Sequence, residues 1–280
     1  MAESTFSRMT QFIVHHVEYH HILMVILLVP ITFLSILVAG CSNSALANVY
    51  LISLSYAANI SSSPLQNAHP AQLNPNLAGT FANLTEGIGG NVPSFEIRTG
   101  YFGHCINQNS GLWVCARNVE QLTAAINNQK TSDIDPLNLL YISKVFKDQM
   151  VFSGLIFPSI PFAFICSLLL GTFPGWHEEI GEDGSEVEVK PFPSKPILQL
   201  ATIIAGIGSV LTLVSAFWQH ISSSGGVTMS EGLYYGAVQG HIGTVAMVLG
   251  WGSFLAAAIV CLGLISMTVS ISLLFRLTDE

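Results

Sequence analysis

Four runs along the chain are predominantly apolar and contain no Asp, Glu, Lys or Arg. They cover residues 22–40, 150–173, 197–218 and 240–275. A hydrocarbon core is crossed by about 20 apolar helical residues, so each run is long enough to span it. The fourth exceeds that length, which predicts a tilted or projecting helix. Pro30, Pro158 and Pro161 lie inside runs, where neighbouring helices re-satisfy the backbone groups they free. Between the first two runs the pattern changes. Alternation through Phe95, Ile97 and Thr99 predicts a strand, and residues 112–116 predict another. Val119, Leu122 and Ile126 have helical spacing. Residues 61–91, rich in Ser, Asn, Pro, Gly and Ala, read as irregular.

Composition agrees with the spans. Hydrophobic residues make up 50% of the 280 and charged residues 9%, against about 25% charged in soluble domains. The mean hydropathy is +0.56. This excludes a soluble monomer. The first run is too long for the apolar core of a signal peptide, and Arg8 is the one strong base before it. "LVAGC" at 37–41 has the form of a bacterial lipoprotein processing site, but three further spans make a lipid anchor redundant. Cys41 is read instead as a residue at the outer membrane boundary.

Four spans place both termini on one side. Lys and Arg favour the cytoplasm, but here they divide. Arg8, Lys190, Lys195 and Arg276 lie on the terminal side, and Lys144 and Lys147 on the other. Covalent chemistry decides between the two orientations. "NIS" at Asn59 and "NLT" at Asn83 are glycosylation sequons, which mark a lumenal or extracellular surface. The expected layout is a cytoplasmic segment at 1–21, a span at 22–40, a large outer loop at 41–149 and a span at 150–173. An acidic cytoplasmic loop at 174–196, a span at 197–218, a short outer loop at 219–239, a span at 240–275 and a cytoplasmic tail at 276–280 follow.

The large loop holds "GYFGHCINQNSGLWVC" at 100–115. A disulfide between Cys105 and Cys115 suits an oxidising compartment. Closing that loop stabilises it by about 3 kcal/mol in the chain-entropy model, and Gly111 permits a tight turn. A structural zinc site needs four ligands, and His104 offers a single imidazole, so no metal is expected. Tyr101, Phe102 and Trp113 are read mainly as packing residues for a small sheet on the outer ends of the spans.

These residues carry a family resemblance. Gly100, Tyr101, Phe102, Gly103 and Cys105, followed by Cys115, resemble the claudin-superfamily pattern. Gly111, Leu112 and Trp113 resemble its Gly-Leu-Trp element. In claudins proper that element precedes both cysteines, whereas here it falls between them, which argues against a tight-junction claudin. Four spans with a large, sequon-bearing first loop resemble the fungal family of mating-induced calcium regulators and membrane-fusion proteins. The resemblance implies an all-α membrane protein, a left-handed four-helix bundle with a small extracellular antiparallel sheet. It implies a plasma-membrane role in low-affinity calcium entry and cell fusion during mating. A fungal cortical or pH-signalling tetraspan is the neighbouring alternative.

Gly232, Gly236 and Gly240 recur every four residues, a spacing that lets transmembrane helices approach closely. Gly206 and Ser209 give the third span a second small surface. Charge-free spans argue against a self-contained pump or a charge-lined pore, because such proteins place ionisable residues inside the membrane. His220 and His241 lie near the expected outer ends of the last two spans. His16 and His20, four apart, lack the Glu placement of a zinc protease. Six acids between Glu178 and Glu188 lack the order of a calcium-binding hand and read as a solvated loop. Glu86, Glu96, Glu120, Asp133 and Asp135 are dispersed through the outer loop as loose calcium collectors. No catalytic base or nucleophile pair is assigned, and no cofactor or nucleic acid is expected. The partner classes are the lipid bilayer, a second copy, cis or trans membrane proteins and a calcium channel.

Overall fold

The computed structural model describes residues 19–56, 94–108, 111–126, 135, 137–174, 177–180, 186–189, 193–234 and 237–278. These residues fall into two compact units, each built from several separate stretches of chain.

The first unit comprises residues 1–34, 154–214 and 251–280. It contains most of α1 (Tyr19–Val38), α4 (Ile156–Gly171), the first part of α5 (Lys195–Leu233) and most of α6 (Thr244–Thr278). Leu23 and Leu27 of α1, Cys166 and Leu170 of α4, Ala201 and Ala205 of α5, and Val260 and Leu264 of α6 form its core. Small residues at these contacts let the helices approach, as membrane bundles require. Gly263 faces Tyr19 and Leu23, and Gly252 faces Phe33. Only 28% to 33% of each apolar span is buried within the protein. Val25, Leu168, Ile203 and Leu262, one from each helix, are 57% to 65% exposed. Leaving such a side chain in water forgoes about 1.5–3 kcal/mol, so these faces belong in lipid. The chain is a multi-pass membrane protein with four spanning helices. A two-stranded ribbon, β5 (His177–Ile180) with β6 (Glu186–Val189), lies between α4 and α5 where the sequence predicts an open loop.

The second unit comprises residues 35–153 and 215–250. Its five antiparallel strands are ordered β4-β3-β2-β1-β7. They are β1 (Ile52–Tyr56), β2 (Phe95–Thr99), β3 (His104–Gln108), β4 (Leu112–Ala116) and β7 (Val238–Ile242). Register places Leu54, Ile97 and Ile106 in one transverse row, each 2% exposed or less. α2 (Val119–Ile126) and α3 (Leu139–Val145) contribute the buried side chains Leu122, Leu139 and Leu140 to this unit. Together with the four spans, this small sheet gives the claudin-like layout that the resemblance implies.

Three boundaries differ from the sequence expectation. The strand expected through Phe95, Ile97 and Thr99 ends at Thr99, and the chain folds back as β3 through a turn in which Gly100 N–H donates to the Gly103 carbonyl. The third helix does not stop at 218; it runs through "SSSGG" at 222–226 to Leu233. Ser and Gly are poor helix formers, but packing overrides propensity here. A Cβ on Gly226 would lie 2.5 Å from the Phe146 ring, so the small residue admits that ring. Finally, Gly240 does not begin a helix; it pairs with Leu54 across β7 and β1, and α6 starts at Thr244.

Candidate functional site in the disulfide-bonded sheet

The GYFG turn is seated on the backbone that leaves α1. A Cβ on Gly103 would lie 2.0 Å from the Cys41 carbonyl oxygen, and one on Gly100 would lie 2.5 Å from that of Gly40. Both glycines are therefore required by close backbone approach rather than by turn conformation. Cys41 adopts φ +56° and is fully buried, and its thiol donates to the Val49 carbonyl at 3.6 Å. Burial pushes that thiol up to about 12, partly opposed by Arg98. Cys41 thus belongs to the core of this unit, packed with Ala47 and Cys105.

Cys105 and Cys115 are directly opposed on β3 and β4, with Cα atoms 4.0 Å apart, and form a disulfide. Gly111 takes φ +70° at the turn between them, with nothing within 4 Å of a notional Cβ. Leu112 is 72% exposed. Trp113 does more than pack. The Arg98 guanidinium lies 3.9 Å above its ring and 4.7 Å from the Tyr50 ring, a desolvated cation–π stack. Arg98 also donates to Glu96 at 2.9 Å, to Asn48 Oδ1 at 2.7 Å and to the Ala47 carbonyl at 3.2 Å. Sequence reasoning missed Arg98, which has no motif around it.

Two lysines fix the turn and its neighbours. Lys147 Nζ donates to the carbonyls of Phe102 and Arg117, both at 3.0 Å, and burial lowers its pKa. Lys144 pairs with Glu120 on the surface. Tyr101 donates to Gln219 Oε1 at 3.4 Å, and Gln219 Nε2 donates to the Ala246 carbonyl at 2.8 Å. The motif tyrosine therefore reaches a buried glutamine that bridges α5 and α6.

Behind the sheet lie two buried polar clusters. His104 Nδ1 is 2.6 Å from Ser143 Oγ, which is 2.7 Å from Thr99 Oγ1. Burial, reinforced by Lys147 and partly opposed by Glu120, lowers His104 to about 3, so it is neutral. A Ser–His contact can create a nucleophile, but here both side chains are buried, Ser143 at 0% and His104 at 1% exposed. In the second cluster, Asp135 accepts from the backbone N–H groups of Leu139 and Leu140 at 2.8 and 2.9 Å and from the Tyr56 hydroxyl at 2.5 Å. It caps α3, whose unpaired N–H groups favour an anion. Burial and the Asp135 charge push the Tyr56 phenol far up.

Three of the five acids proposed as loose calcium collectors are thus otherwise engaged: Asp135 caps, Glu96 pairs with Arg98, and Glu120 pairs with Lys144. Among the described residues no group of three or more His, Cys, Asp or Glu could hold a metal. His220 and His241 are both exposed. Glu86, Asp133, His16, Gly236 and the sequons at Asn59 and Asn83 lie outside the described residues. The Gly232–Gly236–Gly240 spacing does not run along one transmembrane helix. Gly232 ends α5 beside open space, and Gly240 is a strand residue whose Cβ would meet Val227 at 2.8 Å. Its smallness serves a strand–helix approach.

The family model of the Ca2+ regulator and membrane fusion protein Fig1 matches residues 81–270, more than half of the chain. The chain belongs to the Fig1 family. The matched stretch takes in β2–β4, the disulfide, α2–α5 and most of α6. The Fig1 description names a regulator and fusion protein rather than an enzyme class. No curated protein matches the chain.

Proposed function

We propose that this Fig1-family chain acts at the plasma membrane of a fungal cell during mating, with both termini cytoplasmic and the sheet unit outside. It regulates low-affinity calcium influx and promotes fusion of the partner cells, without catalysing a reaction. The observation that carries this reading is the Fig1 match across the disulfide-bonded hairpin and three of the four spans. The apolar spans support regulation of another conductance, because a selective pore of this chain's own would ordinarily line itself with charged or carbonyl groups. The partners are the bilayer, a calcium channel, and a second copy or membrane proteins in cis or trans.

The test is deletion of the gene with calcium uptake and pair fusion scored together under mating conditions; both should fall. Purified chain in liposomes should pass no calcium, and robust selective flux would make it a channel instead. Orientation is read from glycans. Enzymatic removal should raise gel mobility in two steps, one lost with Asn59→Gln and the other with Asn83→Gln.

A further inference from the structure

The polar face of the sheet carries an ordered row. Register aligns Trp113, Asn107, Glu96, Ser55 and Gln239 across all five strands. A cleft of about 180 Å³ opens along this row, lined by Ser55, Tyr56, Ser94, Phe95, Glu96 and Asn107. One water needs only about 10–15 Å³. The side chains of Ser55 and Asn107 have no hydrogen-bond partner among the described residues. Ser55, Glu96 and Asn107 stand on adjacent strands about 4.8 Å apart, so they form a ladder roughly 10 Å long. The Tyr56 and Phe95 side chains alternate to the opposite, core-facing side of the sheet and are 6% and 3% exposed, so the polar ladder carries the contacts.

We propose that this cleft binds a carbohydrate. The side chains along the ladder decide the ligand class. An amide and a hydroxyl each donate and accept, and a carboxylate accepts, which matches the mixed donors and acceptors of a sugar. A divalent cation fits poorly. It seeks six or more oxygens and usually several carboxylates, whereas the one carboxylate here is already paired with Arg98. The sugar has two possible sources. Tyr56 and Ser94 bound the segment that holds both sequons, and Asn59 is only three residues beyond Tyr56, so one source is the chain's own N-glycan. The other is an external polysaccharide. The first source rests on the outside orientation proposed above; the binding chemistry does not.

The test uses full-length protein in detergent micelles, as glycosylated wild type and as the glycan-free Asn59→Gln/Asn83→Gln variant. The probes are chitobiose, the core disaccharide of an N-glycan, and a β-1,3-glucan oligosaccharide, followed by saturation-transfer NMR and calorimetry. The glycan-free protein should bind at least one probe. Asn107→Leu and Ser55→Ala, each made in it, should bind about tenfold more weakly, the loss of roughly one hydrogen bond. An intact Cys105–Cys115 disulfide and unchanged elution verify folding in these variants. Binding by the glycan-free form alone identifies the chain's own glycan as occupant; equal binding by both forms identifies an external sugar. The inference is overturned if the glycan-free protein binds neither probe, or if both substitutions leave binding unchanged. Failure of the orientation is read separately, from a chain that carries no glycan and resists impermeant labels on intact cells. Purified-protein binding does not depend on that result.

Discussion

The helical unit and the sheet unit are held together differently. The helices meet through many interchangeable apolar contacts, and most of their surface faces outward. The sheet unit depends on a few contacts that admit no substitute: backbone against backbone at Gly100 and Gly103, one disulfide, and buried polar clusters at Ser143 and Asp135. A bundle can absorb a change by repacking side-chain ends, whereas a backbone contact cannot be repacked. The contrast places the sensitivity of the protein in the sheet unit.

The largest effect should come from Gly103→Ala. Its Cβ would sit 2.0 Å from the Cys41 carbonyl oxygen, with backbone on both sides of the clash. We expect a loss of at least about 3 kcal/mol, at the upper end of overpacking costs, and no folded protein at the cell surface. Gly263→Ala is the matched change among the helices. Its Cβ would meet only the ends of Tyr19 and Leu23, at 2.8 and 2.9 Å, and those can rotate away at roughly 1 kcal/mol. Surface delivery of both variants, scored by immunoblot and labelling, checks the contrast. Equal delivery would remove it.

Next in size is the disulfide. Cys105→Ser and Cys115→Ser should each cost about 3 kcal/mol, and the double variant should be no worse than either. Thermal unfolding in micelles measures all three. Additive losses would mean that the two thiols contribute separately.

How legible each unit was in the sequence follows from the same contrast. A span is local: 20 consecutive apolar residues declare it, and all four were visible. β4 and α2 were also visible, because their patterns are contained within a few residues. β1 carried a readable signal, with Ile52, Leu54 and Tyr56 alternating with Ser53 and Ser55, but its pattern is only five residues long and its partner strands are remote in sequence. β7 could not be read. Its pairing with β1 joins residues nearly 190 apart, and Gly240 at its centre resembles the start of the following span. The motif glycines were recognised, but their partners, Gly40 and Cys41, were read only as the outer boundary of the first span. Arg98 carried no pattern, since its role depends on strand register placing it beside Trp113. Lys144 and Lys147 weakened the orientation signal for a related reason. Both are committed to contacts within the sheet unit, and sequence counts them as if they were free.

Acid should separate the units more gently. His104 is held near 3 by burial, against about 6.5 in an unfolded chain. Above about pH 6.5 both states are neutral and pH has no effect through this group. Between about 6.5 and 3 the unfolded state binds a proton that the folded state excludes, so stability falls by about 1.4 kcal/mol per pH unit. Residues 22–38, 156–171, 197–218 and 244–275, the helix cores, hold no Asp, Glu or His to titrate in that window. Hydrogen exchange at pH 7 and pH 5 should therefore show β2, β3 and α3 losing protection while the helix cores do not. His104→Gln should flatten the difference. Equal loss in both regions would place the acid sensitivity elsewhere.

The smallest expected effect asks whether the outward helical faces are truly interchangeable. Gly206 lies in α5 with nothing within 4 Å of a notional Cβ, whereas Gly208, two residues on, meets Phe162 at 3.5 Å. If lipid alone covers Gly206, Gly206→Ala removes backbone freedom and adds a methyl group to open space. Helix propensity then favours the variant by up to about 1 kcal/mol, and the unfolding temperature should stay level or rise slightly. A second copy seated on this surface would reverse the sign, because close helix approach at a glycine leaves no room for the methyl. A destabilised Gly206→Ala with a smaller apparent oligomer would show that the outward faces are not all equivalent, and that one small-residue surface of the bundle is as selective as the sheet.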